Sequence, residues 1–65
     1  MVSKISRLKL ERAERRLSQF ELAKMVGVNE VTISRIETGR LTPAPDLKSK
    51  IATVLGKPAY ELFNQ

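Results

Sequence analysis

The chain has 65 residues, and its composition excludes several kinds of site. It contains no cysteine, which excludes disulfides and thiolate metal ligands, and no histidine, which removes the usual general base and the commonest metal ligand. Twelve Lys and Arg against seven Asp and Glu give a net charge of +5, which indicates an electropositive surface suited to polyanions. We therefore expect no enzymatic activity, no metal site and no cofactor.

The length predicts one domain, residues 1–65, near the lower size at which a single hydrophobic core is stable without crosslinks. No apolar run approaches the length of a spanning helix or a signal-peptide core, so we expect a cytoplasmic protein with no membrane partner. Positive charge is concentrated in residues 1–16, where six basic and two acidic residues carry four of the five net charges. Such a segment suits nucleic acid, although a solvated helix face has the same composition.

The first helix is predicted to begin around Ser3 or Ser6 and to end near Arg15. Four residues form a single stripe at helical spacing: Val2, Ile5, Leu8 and Arg12. An arginine in an apolar stripe needs a partner, because an unpaired buried charge is costly in free energy. Glu37, on the inward side of the third predicted helix, is the natural candidate.

The second helix is predicted over about residues 19–26. Ser18 is a good N-cap, and Glu21 stands at the capping-box position three residues later. Two leucines occupy the flanking positions of a hydrophobic staple: Leu17 and Leu22. The helix must end before Gly27, because glycine adopts the positive φ of a helix C-terminus without a Cβ clash.

The third helix is predicted over about residues 30–38, with Asn29 as its N-cap and Gly39 after its end. Only residues 27–29 separate it from the second helix. A connection this short that contains a glycine is typical of a helix-turn-helix or an αα-hairpin.

The two sides of the third helix differ in chemistry. At about 100° per residue its inward side holds Ile33, Ile36 and Glu37, and its outward side holds Val31, Ser34, Arg35 and Thr38. Arginine can bond guanine through two N–H groups, Glu30 could accept from cytosine N4, and Val31 could contact a thymine methyl. The face therefore suits the DNA major groove, although short helices with mixed polar faces also occur in proteins that bind no DNA.

Past Gly39, two prolines within residues 40–45 predict a loop. Pro45 then begins a fourth helix that Gly56 closes, and a last short turn follows Pro58. The inward residues of the fourth helix are Leu47, Ile51, Val54 and Leu55. Tyr60 and Phe63 either cap the core or form a dimer contact, since apolar surface near a chain end serves both purposes.

Several spaced motifs together resemble a known family. They are Ser18-Gln19-x-Glu21-Leu22-Ala23, Gly27-Val28 and Ile33-Ser34-x-Ile36-Glu37-x-Gly39, continued by Pro43, Ile51-Ala52 and Leu55. This pattern resembles the Cro/cI-type (XRE-like) helix-turn-helix family of phage repressors and small bacterial transcriptional regulators, from about Ile5 to Phe63. Arg16 departs from the family, which often has glycine, asparagine or lysine there.

The resemblance implies an all-α, compact five-helix, lambda-repressor-like DNA-binding domain with the third helix in the major groove. It also implies a structural bridge between Arg12 and Glu37, and a bond from Gln19 to the DNA backbone. The expected base-reading residues are Glu30, Val31, Ser34 and Arg35, although Ser34 could also contact the backbone. The expected backbone contacts are Gln19, Asn29, Thr32, Thr38 and Arg40.

The function predicted is sequence-specific binding of double-stranded DNA by a transcriptional regulator, most simply a repressor. A homodimer would place two recognition helices about 34 Å apart and require a palindromic operator. The alternative is a protein-interaction module of the same fold, such as an antitoxin or adaptor. Steep weakening of binding by salt would favour DNA, because counterions released from phosphates set that dependence.

Overall fold

The computed structural model describes residues 6–63, which form five α-helices and no strand within that range. The helices are α1 (Arg7–Glu14), α2 (Gln19–Val26), α3 (Glu30–Glu37), α4 (Pro45–Leu55) and α5 (Ala59–Phe63). The predicted all-α fold is confirmed. In the part described, no helix is long and apolar enough to cross a membrane.

The helix ends lie where local sequence signals predict them. The Ser6 hydroxyl caps α1 by accepting from the Lys9 N–H at 3.0 Å, whereas Ser3, Val2 and Ile5 lie outside the described residues. Ser18 and Glu21 form the complete capping box, with bonds of 2.9 and 2.8 Å between each side chain and the other's backbone N–H. Each cap satisfies a backbone donor that the first turn of a helix leaves without a partner.

One hydrophobic core joins the helices. Its buried members are Leu8, Leu22, Ala23, Val26, Ile33, Ile36, Ile51, Leu55 and Leu62. α2 packs against both α3 and α4, while α5 packs against α1 and α4. Leu47 and Val54 are partly buried against this core, as the predicted inward face of α4 requires.

The aromatic residues near the C-terminus behave differently from each other. Phe63 is partly buried and packs against the core, so it does cap the hydrophobic cluster. Tyr60 is 69% exposed, and the core-capping interpretation is wrong for this residue. Its position on the short α5 leaves the ring pointing to solvent. Leu10 is also exposed on the outer side of α1.

Arg16 adopts a left-handed backbone conformation between α1 and α2, with φ of 57°. An L-residue in this region is strained by about 1–2 kcal/mol, because its Cβ approaches a backbone carbonyl, whereas glycine has no Cβ and adopts the conformation without that cost. The conformation lets the Leu17 N–H donate to the Arg12 carbonyl at 3.1 Å. The strained residue therefore ends α1 and directs the chain into α2.

Glu11 is a buried acid that the sequence analysis did not single out. Its carboxylate accepts from Arg15 at 2.8 Å and from Arg7 at 3.1 Å, and the side chain is only 6% exposed. Hydrogen bonds from Arg15 and then Arg7 hold the pKa of Glu11 below its ordinary value. The same acid feels the positive charge of Lys57, beyond the end of α4, so its charge also favours the packing of α1 near the C-terminal helices.

The low pKa of Glu11 predicts a pH-dependent contribution to stability. In the unfolded chain Glu11 takes up a proton near its ordinary pKa of 4.5, whereas in the folded chain it does so only at lower pH. The stabilisation is thus present above that pH and is lost as pH falls through the lower folded pKa. We expect the difference in unfolding free energy between wild type and Glu11→Gln, measured by urea denaturation, to shrink on acidification. A difference independent of pH would contradict this.

Candidate nucleic-acid interface

The turn between α2 and α3 is built on Gly27. This residue has φ of 82°, and its N–H donates to the Ala23 carbonyl at 2.9 Å, which ends α2. The Val28 N–H bonds the same carbonyl at 3.0 Å, and Asn29 then caps α3. Ala23 is buried, and its small side chain suits the close approach of the two helices. The two helices therefore form the predicted helix-turn-helix.

The two faces of α3 separate as predicted. Ile33 and Ile36 are buried in the core, so this side of α3 faces the interior of the protein. On the other side Val31 is 55% exposed, and Arg35 is exposed beside it. Glu30 and Thr38 are also exposed, whereas Ser34 is half-buried at the edge of this face. Together these residues form the outer face of α3: Glu30, Val31, Ser34, Arg35 and Thr38.

A buried ion pair fixes the inward side of α3 to α1. Arg12 Nε donates to Glu37 Oε2 at 2.6 Å, and a second guanidinium nitrogen donates to Glu37 Oε1 at 3.2 Å. The third nitrogen donates to the Leu17 carbonyl at 2.6 Å. The two side chains are 11% and 2% exposed, so nearly all of both charged groups is removed from water. The structure thus brings together the two residues that the stripe on α1 predicted as partners.

Gln19 also belongs to this cluster. Its side-chain amide nitrogen donates to Glu37 Oε1 at 3.0 Å, and the residue is half-buried. The sequence predicted only a DNA-backbone contact for Gln19, because no local pattern indicates a bond to a residue eighteen positions away. An amide nitrogen carries two donors, so a second N–H exists for a phosphate oxygen.

Besides Gln19, three of the residues predicted to contact the DNA backbone have side-chain hydrogen bonds within the protein. The Thr32 hydroxyl and backbone N–H both donate to Asn29 Oδ1, at 2.9 and 3.0 Å. The Thr38 hydroxyl donates to the Ser34 carbonyl at 3.0 Å. These hydrogen bonds stabilise the two ends of α3. The three side chains therefore have a structural role, although they lie at the surface. Arg40 is exposed, and its N–H folds back to the Arg35 carbonyl at 2.8 Å.

Charge is partitioned between the interior and the outer face. The two buried carboxylates, Glu11 and Glu37, hold the side chains of Arg7, Arg12 and Arg15. Within residues 6–63, Arg35 and Arg40 form no ion pair with a carboxylate. The positive charge beside the outer face of α3 is therefore available to an external anion. The same stretch also contains no cluster of acids that could hold a metal ion.

An exposed aromatic residue on α2, Phe20, was not predicted as part of the site from the sequence. Phe20 is 55% exposed at the second position of the helix, and Lys24 Nζ lies 5.5 Å from the centre of its ring. The sequence pattern that could have indicated this pair is an aromatic residue followed four positions later by a lysine in a predicted helix, because that spacing places both side chains on one side of the helix. This pair lies next to Gln19.

Comparisons with known proteins agree with this geometry. A family model described as helix-turn-helix matches residues 8–62. An uncharacterized HTH-type transcriptional regulator of Methanocaldococcus jannaschii is 40% identical over 58 residues, which cover 89% of this chain and 88% of that protein. Another from Archaeoglobus fulgidus is also 40% identical over 58 residues, covering 89% of this chain and 82% of the relative. The crystal structure of the hypothetical transcription factor NHTF from Neisseria aligns with a TM-score of 0.81 and 26% identity, over 97% of this chain and 85% of that one.

The buried pair predicts a large and specific loss of stability. Arg12→Met leaves the Glu37 carboxylate buried without its guanidinium, which should lower the unfolding free energy by about 3–5 kcal/mol in urea denaturation. Replacing both residues, as in Arg12→Met with Glu37→Leu, should recover part of this loss because no buried charge is left. Glu14→Gln, at an exposed site on the same helix, is the control. If Arg12→Met cost no more than this control, the pair would not be buried in solution.

Proposed function

The chain belongs to the Cro/cI-type (XRE-like) helix-turn-helix family and is a transcriptional regulator, which implies DNA binding, and we propose that it reads duplex DNA by inserting α3 into the major groove. The observation that carries the proposal is the outer face of α3. Its inward side is locked in the core, whereas Val31 and Arg35 stand exposed with no acidic partner for the arginine among residues 6–63. A B-DNA major groove is wide enough to admit such a helix.

The base-reading roles follow from the chemistry of the outer face. Arg35 has the planar donor pair that matches guanine O6 and N7, and Val31 offers an apolar contact for a thymine methyl. Glu30, exposed in the first turn of α3, can accept from cytosine N4. Ser34 is half-buried at the edge of the face, so it can reach either a base edge or the backbone.

The backbone contacts are proposed around this reading face. The second amide N–H of Gln19 and the free N–H groups at the start of α2 can bond a phosphate oxygen. Arg40 supplies a cation at the end of α3. Asn29 is proposed to contact the backbone through its side-chain amide N–H groups, which its capping bonds leave available. Thr32 and Thr38 are proposed to do so by exchanging their internal hydroxyl bonds for bonds to a phosphate oxygen. These contacts set the register of the protein on DNA without reading its sequence.

Regulation is proposed to be repression by a homodimer. A protein bound in the groove prevents polymerase from occupying the same DNA. The exposed ring of Tyr60 on α5 provides apolar surface for contact with a second copy, as surface tyrosines do at many interfaces. Two-fold symmetry would then require a palindromic operator with half-sites about 10–10.5 base pairs apart.

The division of roles predicts two distinguishable mutant phenotypes on a duplex selected from a random library. Arg35→Ala should lose discrimination at one base pair, by about 1–3 kcal/mol, because only that side chain bonds the base. Gln19→Ala should weaken binding to all sequences alike, because a phosphate contact carries no sequence information. Fluorescence anisotropy on the selected duplex and its single-base variants measures both. If both variants merely lowered affinity uniformly, the assignment of roles would be wrong.

The same titrations at several salt concentrations test DNA binding itself. Release of counterions from neutralised phosphates makes affinity fall steeply with added salt. If the chain bound no duplex, and instead bound a protein partner with an affinity that is insensitive to salt, the adaptor or antitoxin alternative would be supported.

A further inference from the structure

The exposed Phe20 of α2 has no role in the core. It is not a member of the hydrophobic cluster, although it is one of the largest apolar side chains in the described residues. The ammonium group of Lys24 lies over its ring, 5.5 Å from the ring centre. A cation at this distance over an aromatic face is attracted by the negative charge density of the ring.

The side of α2 that carries this pair can be deduced from the burial pattern. Leu22, Ala23 and Val26 face the core. At about 100° per residue, Phe20 and Lys24 then lie on one flank of the helix, and Met25 lies on the other. The Met25 flank faces α4, where Met25 lines a shallow groove with Ser49, Lys50, Thr53 and Val54. The flank with Phe20 and Lys24 is therefore turned away from α4.

The position of Lys24 along the helix also matters. Long side chains in helices point back toward the N-terminus, and the ring of Phe20 draws the ammonium one turn in that direction. The N-terminus of α2 lies beside the C-terminal end of α3, because Gln19 at the first position of α2 bonds Glu37 in the last turn of α3. The ammonium of Lys24 is thus held near the N-terminal end of α2, which lies beside α3.

We propose that Lys24 is a further contact to a DNA phosphate, and that Phe20 is a positioning residue that holds its ammonium. This inference rests on the proposed DNA binding and extends it to a residue pair that the motif of the family does not require. A lysine side chain has many rotamers, and fixing it on a phosphate costs conformational entropy. The ring reduces that cost by restricting the lysine before DNA binds, while the ammonium N–H groups that face away from the ring can still donate.

The salt dependence of affinity tests the role of Lys24. Loss of one phosphate contact should reduce the slope of log affinity against log salt by about 0.9 in Lys24→Ala. The ratio of the wild-type affinity for DNA to the affinity of Lys24→Ala should therefore fall about 3.5-fold between 50 and 200 mM salt. Lys50→Ala, which removes an exposed lysine of α4 beside the Met25 flank of α2, is the matched control and should leave the slope unchanged.

The role of Phe20 is tested by two substitutions that preserve different properties. Phe20→Leu keeps an apolar side chain but removes the ring, and should weaken binding about two- to five-fold, the effect of an exposed cation–ring contact. Phe20→Tyr keeps the ring and should bind as wild type does. In the Lys24→Ala background, Phe20→Leu should have no further effect, because the ring acts only through the lysine. A structural role of Phe20 would weaken binding equally in both backgrounds.

The outcomes separate this inference from the function on which it rests. If wild type bound no duplex, or bound it without a salt dependence, the proposed function would fail. If wild type showed the slope but Lys24→Ala retained all of it, only the phosphate contact would be overturned. Equal binding of Phe20→Leu and wild type would overturn the positioning role of the ring. Urea denaturation of each variant, expected to match wild type at these exposed sites, excludes unfolding as the cause.

Discussion

The structure depends on one buried carboxylate, Glu37, and on the arginine that reaches it from another helix. Glu37 lies in the last turn of α3, where the helix dipole disfavours negative charge. Its side chain is also almost completely removed from water, which adds the cost of desolvation. Arg12 offsets both effects with two bonds to the carboxylate, and it is itself held by the Leu17 carbonyl. Because this geometry has directional bonds, it fixes the rotation of α3, which apolar packing alone would leave less defined.

This constraint determines what α3 presents to the outside. With Ile33 and Ile36 in the core and Glu37 bonded to α1, the opposite side of the helix must face solvent. Gln19 brings the start of α2 to the same carboxylate, so α2 and α3 are held together at one point. The buried acids also hold three of the arginines, and the charge that remains outside includes Arg35. The arrangement therefore links a structural ion pair to the composition of the exposed side of α3.

The sequence predicted what local chemistry determines and missed what only the fold brings together. The limits of α2 and α3 were predictable because Ser18, Asn29 and Gly27 act on backbone groups within a few residues. The pairing of Arg12 with its acid was also predictable, because a charge in an apolar stripe requires a partner. The burial of Glu11 was not, since a glutamate between arginines at helical spacing usually lies on a solvated surface. The exposure of Tyr60 likewise depends on where α5 ends against the core, which no local pattern indicates.

A nuclear magnetic resonance titration shows whether the solvent-facing side of α3 is the surface that contacts DNA. Isotope-labelled protein would be titrated with a duplex taken from library selection, and amide shifts would be mapped onto the chain. Insertion of α3 into the groove should give the largest shifts in residues 30–38 and at the start of α2, with small shifts in α4 and α5. Largest shifts on α5 or along the groove beside Met25, with α3 unaffected, would contradict it.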